Sequence, residues 1–291
     1  MKSKFIIKQA FRSINTSFSA KNNSQLIKIR LLVFAASTCL TMNAQGNFFI
    51  SNASSFTLKS DASMTVEGNY DNSGGTVILN SGSSIIVQGT SSGDLTYNRS
   101  IPTENWYLIS SPVAGQDIDD FVEDTPLANG TSNPNNLGLG DYGVLTAGWT
   151  YYQDGASGTG DFISGDGRAI KLVAAGDISF TGTIDVEDLG VTTQMHNDPT
   201  GYNLLGNPYP SYIPANELAD LSNNILNVND VEVDHLTEAT IWLWDESSKI
   251  YDEINQTSPA MFLAPGQGFF VHSNGNSASF SFTENIRNIF I

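Results

Sequence analysis

The sequence predicts an all-β protein, and three observations carry that prediction. Short runs of apolar and β-branched residues recur along the chain, separated by Gly, Asn, Asp and Pro, which is how strands and their turns are punctuated. A segment near the N-terminus repeats at an offset of 21 residues. Helical periodicity is scarce, and its best candidate is Pro214–Leu221, entered at proline with acids in its early turns. The Asn223–Asp234 stretch reads as a polar loop.

The N-terminal 45 residues form a basic leader. They hold seven of the chain's 13 Lys and Arg and no acid. Lys28 and Arg30 precede an apolar run beginning Leu31-Leu32-Val33-Phe34-Ala35-Ala36, and small residues then lead to Asn43-Ala44-Gln45-Gly46, a cleavage zone. A positive flank, a short apolar core and a small-residue exit make a secretory signal peptide over 1–45. The run is shorter than the ~20 residues a membrane span needs. The expectation is therefore an exported protein, secreted or held on the outer cell surface, with no membrane insertion after cleavage. The single cysteine, Cys39, lies inside this leader, so the mature chain is expected to have neither disulfide nor thiol chemistry.

Residues 46–291 carry 30 acids against 6 bases, a formal charge of −24. That balance argues against nucleic acid, whose affinity comes mainly from Lys and Arg on phosphates, and against anionic membrane surfaces.

The first mature region, 46–95, is where the repeat lies. Leu58, Ser60, Ser63, Val66 and Gly68 recur as Leu79, Ser81, Ser84, Val87 and Gly89. A period near 20 with β-branched residues between Gly, Asn and Ser corners predicts stacked coils of a β-solenoid, which need a cap. A pair of hairpins in a sandwich is the alternative that polarity alone leaves open.

The remaining region, 96–291, reads as a β-sandwich built from a duplicated unit, about 96–200 and 201–291. Asn105–Val113 parallels Gly201–Tyr209, each a strand stopped by a proline. Gly148–Asp154 parallels Ile241–Asp245 as an aromatic alternation, which would make Trp149 a counterpart of the Trp242 strand. Gly167–Leu172 parallels Gly266–Val271, and each is followed by a further strand, Ile178–Phe180 and Phe280–Phe282.

Three phrases of this region, Gly201-Tyr-Asn-Leu-Leu-Gly-Asn-Pro-Tyr-Pro210, Trp242-Leu-Trp-Asp245 and Ala264-Pro-Gly-Gln-Gly-Phe-Phe-Val271, occur in order. In this the chain resembles large exported surface proteins of Bacteroidetes-type bacteria, cargo of the type IX secretion system. The resemblance implies passage across the outer membrane and display on, or release from, the cell. It implies no common catalytic activity. Such cargo usually ends in a separate sorting domain, and none follows Arg287-Asn-Ile-Phe-Ile291. The reading therefore allows a fragment, or another route out of the cell.

No enzyme signature is present. His196, His235 and His272 lack metalloprotease spacing, and no Gly-x-Ser-x-Gly elbow occurs. Asp245-Glu246 and Asp252-Glu253 flank an aromatic strand and read as solvated turns. No cofactor is implied. Calcium is the one metal the acids invite, through Asp117, Asp119, Asp120, Glu123 and Asp124 or through Asp154, Asp161 and Asp166, although neither set fits a calcium-loop pattern.

Trp242 and Trp244 are two apart, so on a strand they share a face opposite Ile241 and Leu243. With Ile241 and Leu243 in the core, the two Trp form a ledge for a sugar ring, which Tyr209 and Tyr212 would extend. With the Trp inward they are simply core. The functional expectation is a non-enzymatic adhesion, structural or matrix-binding protein, whose partner is an extracellular glycan or matrix protein. The alternative is a carbohydrate-binding accessory module of a polysaccharide-degrading system.

Overall fold

The computed structural model describes residues 40–44, 46–186, 191–197, 199–230, 235–275 and 278–289. Most of the leader, including Cys39, lies outside these residues. The fold is all-β, with two short helices among the described residues.

Nine strands come first. They are β1 (Leu40–Ala44), β2 (Phe48–Ser51), β3 (Ser55–Leu58), β4 (Ala62–Val66), β5 (Tyr70–Ser73), β6 (Thr76–Leu79), β7 (Ser84–Val87), β8 (Ser91–Ser92) and β9 (Leu95–Ile101). They pair in parallel, every third strand together, as β1-β4-β7, β2-β5-β8 and β3-β6-β9. The repeated residues meet in register, Ser63 beside Ser84 and Val66 beside Val87. Parallel pairing excludes a hairpin, which joins antiparallel neighbours.

The recurrence of glycine at 68 and 89 has a steric cause. A Cβ on Gly68 would lie 2.5 Å from the Asn47 side-chain oxygen, and one on Gly89 would lie 2.4 Å from that of Asn69. These asparagines use the same oxygens to accept the Asn69 and Thr90 amides, at 2.9 and 3.0 Å, stitching one corner to the next. Met64, Val66, Leu79 and Val87 are completely buried in the interior.

The rest of the chain forms two successive sets of strands, the first and second units, with equivalent sheet orders. The first comprises β9, β10 (Tyr107–Ile109), α1 (Ile118–Asp124), β11 (Asn136–Gly143), β12 (Gly148–Gln153), β13 (Arg168–Ile170) and β14 (Gly176–Gly182). The second comprises β15 (Val191–Met195), β16 (Tyr202–Gly206), β17 (Ile213–Pro214), α2 (Ile225–Asp230), β18 (Thr240–Asp245), β19 (Ile250–Asn255), β20 (Phe262–Leu263), β21 (Gly268–His272) and β22 (Ala278–Phe282). The four-stranded sheets have equivalent orders, β10-β13-β11-β12 and β16-β21-β18-β19. In each unit the first strand also pairs antiparallel with the last, β9 with β14 and β15 with β22. β17 pairs with β20.

This topology corrects three sequence expectations. Trp149 lies on β12, whose counterpart is β19 rather than β18, so the aromatic alternations at 148–154 and 241–245 are not equivalent. The glycine match also moves, because the bridges Asp166–Leu205 and Ile109–Gln267 make Gly167 the equivalent of Gly268. A shift of two residues keeps every side chain on its face, which is why the pattern still matched. Third, Pro214–Leu221 is not a helix. Asn216 is wholly buried and donates to the carbonyls of Asn255, Ser258 and Pro259 while its oxygen accepts the Ala219 amide, which fixes a turn. Leu218 and Leu221 remain exposed, whereas Ile225 and Leu226 are buried in α2, a helix inside the stretch expected to be a polar loop.

The units interlock reciprocally. Residues ahead of β13 pair with β16, the Gly206 amide donating to Gly165 O and the Gly167 amide to Leu204 O. Residues ahead of β21 pair with β10 in the same way, the Ser110 amide donating to Gly266 O. Both crossings need a bare backbone. A Cβ on Gly167 would meet Leu205 O at 2.6 Å, and one on Gly268 would meet the Ile109 nitrogen at 2.9 Å.

Candidate functional site

The faces of the two four-stranded sheets not committed to the unit cores meet each other. Leu108, Ala169, Leu204 and Phe270 form a small buried cluster between them, ringed by half-buried Trp106, Tyr142, Trp242 and Trp244. Strand alternation dictates this arrangement. Ile241 and Leu243 face the core of the second unit, so Trp242 and Trp244 face outward from it toward the first.

One side of this seam opens to solvent as a cleft of about 180 Å³. Trp106, Leu108, Trp149, Tyr151 and Ala169 line it from the first unit, and Trp244 and Tyr251 from the second. Trp149 and Tyr151 are two apart on the edge strand β12, so they share its outer face. Beneath them lies Gly140 of β11, where a Cβ would press on both rings at 3.2 Å. Glycine there lets the rings lie down on the neighbouring strand, and the rings in turn cover a backbone position that has no side chain to pack.

The rings brace one another. Trp106 lies 5.8 Å from Tyr151, Tyr142 packs edge-on against Phe270 at 5.0 Å, and Trp244 lies 4.9 Å from Tyr251. The Trp244 indole donates to Trp106 O at 2.9 Å, tying the second unit's wall to the first's. Among the described residues the indole N–H groups of Trp106 and Trp149 and the hydroxyls of Tyr151 and Tyr251 have no hydrogen-bond partner. Burial, with Tyr142 beside it, pushes the Tyr251 hydroxyl above its ordinary range.

Of the four residues expected to form a ledge, Trp242 and Trp244 share a face as predicted and are half-buried rather than fully presented. Trp244 lines the cleft, and Trp242 packs edge-on against Tyr202 at 5.5 Å. The tyrosines do not extend the ledge. Tyr209 is buried in the core of the second unit, its hydroxyl donating to Phe282 O and accepting the Val191 amide at 3.3 Å. Tyr212 reaches the coil strands instead, its hydroxyl 3.4 Å from Gly82 O. The prolines around them fix the chain for packing, not for display. Sequence reasoning missed Trp106, Tyr151 and Tyr251, and read Trp149 only as a counterpart of the Trp242 strand. The available signal was the Trp149–Tyr151 spacing on a strand whose partner carries Gly140.

The acidic groups have local employment. Asp117 caps α1, accepting the amides of Asp119 and Asp120 at 2.7 and 3.0 Å. Asp119 accepts the Tyr152 hydroxyl and the Gly158 and Thr159 amides, and hydrogen bonds from Thr159 and Tyr152 hold its carboxyl down at about 2. Asp166 is held above its ordinary range by burial, opposed by the Thr193 hydroxyl at 2.6 Å. Asp245 accepts from Ser247 and Ser248 in the β18–β19 turn. Among the described residues no three His, Cys, Asp or Glu gather as a metal site would require.

Residues 20–289 match the model of a domain family of unknown function, DUF8693, and the chain belongs to that family. Comparison with curated proteins and with solved structures finds no match.

Proposed function

We propose that this chain is a non-enzymatic recognition protein of the cell exterior, exported by its leader and binding an extracellular partner through the cleft between its two units. The observation that carries this reading is the cleft itself, a solvent-open seam lined by five aromatic side chains held by reciprocal packing. Its lining is aromatic and aliphatic, which suits stacking and hydrogen bonding rather than bond cleavage. The basic leader, the acidic mature chain and the resemblance to type IX cargo support export. The stacked coils, in this reading a short solenoid, serve as the spacer that carries the units. A second reading, a carbohydrate-binding accessory module, is favoured by the aromatic walls of the cleft.

The test is where the protein is found and where its chain starts. Surface proteolysis of intact cells and N-terminal sequencing should place it outside, beginning near Gly46. Processing there would remove β1 and leave β4 as the outer strand of its sheet. Retention of unprocessed protein inside the cell would overturn the proposal.

A further inference from the structure

Resting on that reading of the cleft, the geometry points to a neutral glycan as its occupant, with one sugar ring seated between Trp106, Trp149 and Tyr151 on one wall and Trp244 and Tyr251 on the other. The chemistry of the lining selects this class. A pyranose offers C–H faces above and below its ring and hydroxyls around its edge. The cleft offers aromatic faces from both units, with the indole N–H groups of Trp106 and Trp149 and the hydroxyls of Tyr151 and Tyr251 unpartnered among the described residues. An acyl chain would satisfy the faces and strip water from the donors without replacing it, which costs free energy at each one.

Charge narrows the class further. Among the described residues no Lys, Arg, Asp or Glu lines the cleft, and the chain from residue 46 onward carries 24 net negative charges. Uronate or sulfated polymers would meet that field with nothing to neutralise them. Size agrees with a single ring. The cleft holds about 180 Å³, which is roughly six water molecules' share of liquid volume. It is smaller than the ~300 Å³ at which pockets for larger ligands begin. Its open mouth leaves the rest of a chain free to run along the surface over the exposed rings of Trp149 and Tyr251.

The experiment is affinity electrophoresis of the purified chain in gels cast with mixed-linkage β-glucan, xylan or galactomannan, and with polygalacturonate as the anionic counterpart. The expected result is retardation by at least one neutral polymer and free passage through polygalacturonate. Trp149→Ala and Tyr251→Ala should each weaken binding about tenfold or more, as removal of an aromatic anchor does, in proteins that still unfold cooperatively, with the melting temperature lowered by only a few degrees because each ring also packs on its neighbours. Trp149→Phe should retain most of the binding. Free passage through every neutral gel, or equal retardation of both alanine variants, would overturn the inference. The same proteins applied to immobilised matrix proteins separate the two layers of the argument. Cleft-dependent binding to protein without glycan binding sinks the glycan and keeps the recognition role, whereas binding to neither removes both. A dimer by light scattering that Trp149→Ala dissociates would give the cleft to a second copy and likewise overturn the glycan assignment.

Discussion

The two units share a strand order and differ in what their cores join. The first unit has no core of its own. Its β9 pairs in parallel with β6 of the coils and antiparallel with β14, so Ile101, Ile109, Phe121, Ile170 and Phe180 belong to the same apolar cluster as Phe48, Val66 and Leu79. The second unit closes on itself around Met195, Ile213, Ile241, Phe269 and Phe280, and meets the coils through polar contacts such as Arg287 donating to Val87 O at 3.0 Å. The first unit thus covers the end of the parallel N-terminal strands, and the second is fastened to both. A repeated unit keeps its strand order because pairing is set by backbone geometry, while its inner faces diverge with what each copy covers.

The interlock between units is the place to break this comparison, and the largest effect belongs at Gly206. A Cβ there would sit 2.4 Å from both Cβ and Oγ of Ser110. Both residues are buried where the two proline-stopped strands meet, and the Ser110 hydroxyl donates to Asn207 O at 2.9 Å. Gly206→Ala should cost about 3 kcal/mol by chemical denaturation, the scale of overpacking a site that cannot yield. Adding Ser110→Gly should recover a large part of that loss. A Gly206→Ala protein of unchanged stability would show that the strands do not meet as closely as described.

The next effect sharpens the difference between copies. Asn207 and Ser111 are equivalent, and each fixes the turn after its strand, Asn207 by accepting the Tyr209 amide at 2.9 Å and Ser111 by accepting the Val113 amide at 3.4 Å. Asn207 does more. Its amide group donates to the carbonyls of Ser211, Leu263 and Ala264 at 2.8, 3.3 and 3.1 Å from a fully buried position. Asn207→Ala takes its amide donor from all three carbonyls, of which Ala264 O still accepts the Gln267 amide, and should cost about 3 kcal/mol, against about 1 for Ser111→Ala. Equal losses in the two melting curves would mean that the extra carbonyl bonds are not made.

These positions also explain what the sequence revealed and what it hid. Leu-Leu-Gly-Asn-Pro stood out because one backbone contact, one buried amide and one strand-ending proline each demand a particular residue there. Gly68 and Gly89 stood out for the same reason, pressed by Asn47 and Asn69. The helices were hidden. α1 spans seven residues and α2 six, too short to show a period, and α2 rests on the buried pair Ile225 and Leu226 inside a polar stretch. The cleft was half visible. Alternation placed Trp242 and Trp244 on one face, but its other wall comes from residues as much as 138 positions earlier, and no local pattern encodes how two sheets meet. Tyr209 failed as a ledge residue because a tyrosine beside prolines reads alike whether its hydroxyl meets water or Phe282 O.

The smallest effect concerns two half-buried carboxylates, one in each unit. Asp119 holds the 158–159 loop of the first unit and Asp245 holds the β18–β19 turn of the second, and hydrogen bonds depress both from 3.8 to about 2. A depressed acid contributes stability that is complete above its unfolded value and is lost as pH falls toward the folded one. Both contributions should therefore be full above about pH 4 and fade between pH 4 and 2. The readout is local. Protection from exchange, relative to the intrinsic rate at each pH, should fall at the Gly158 and Thr159 amides and at the Ser247 amide over that window, while interior strands such as β16 are unaffected. Asp119→Asn should remove the pH dependence at Gly158 and leave that at Ser247, and Asp245→Asn should do the reverse. Salt at 1 M should leave most of each effect in place, because contact hydrogen bonds, unlike long-range attraction between exposed charges, are not screened away. Two windows that move together in the single variants would show that the turns are coupled across the seam, and the units would then be one mechanical body rather than two copies joined at an interlock.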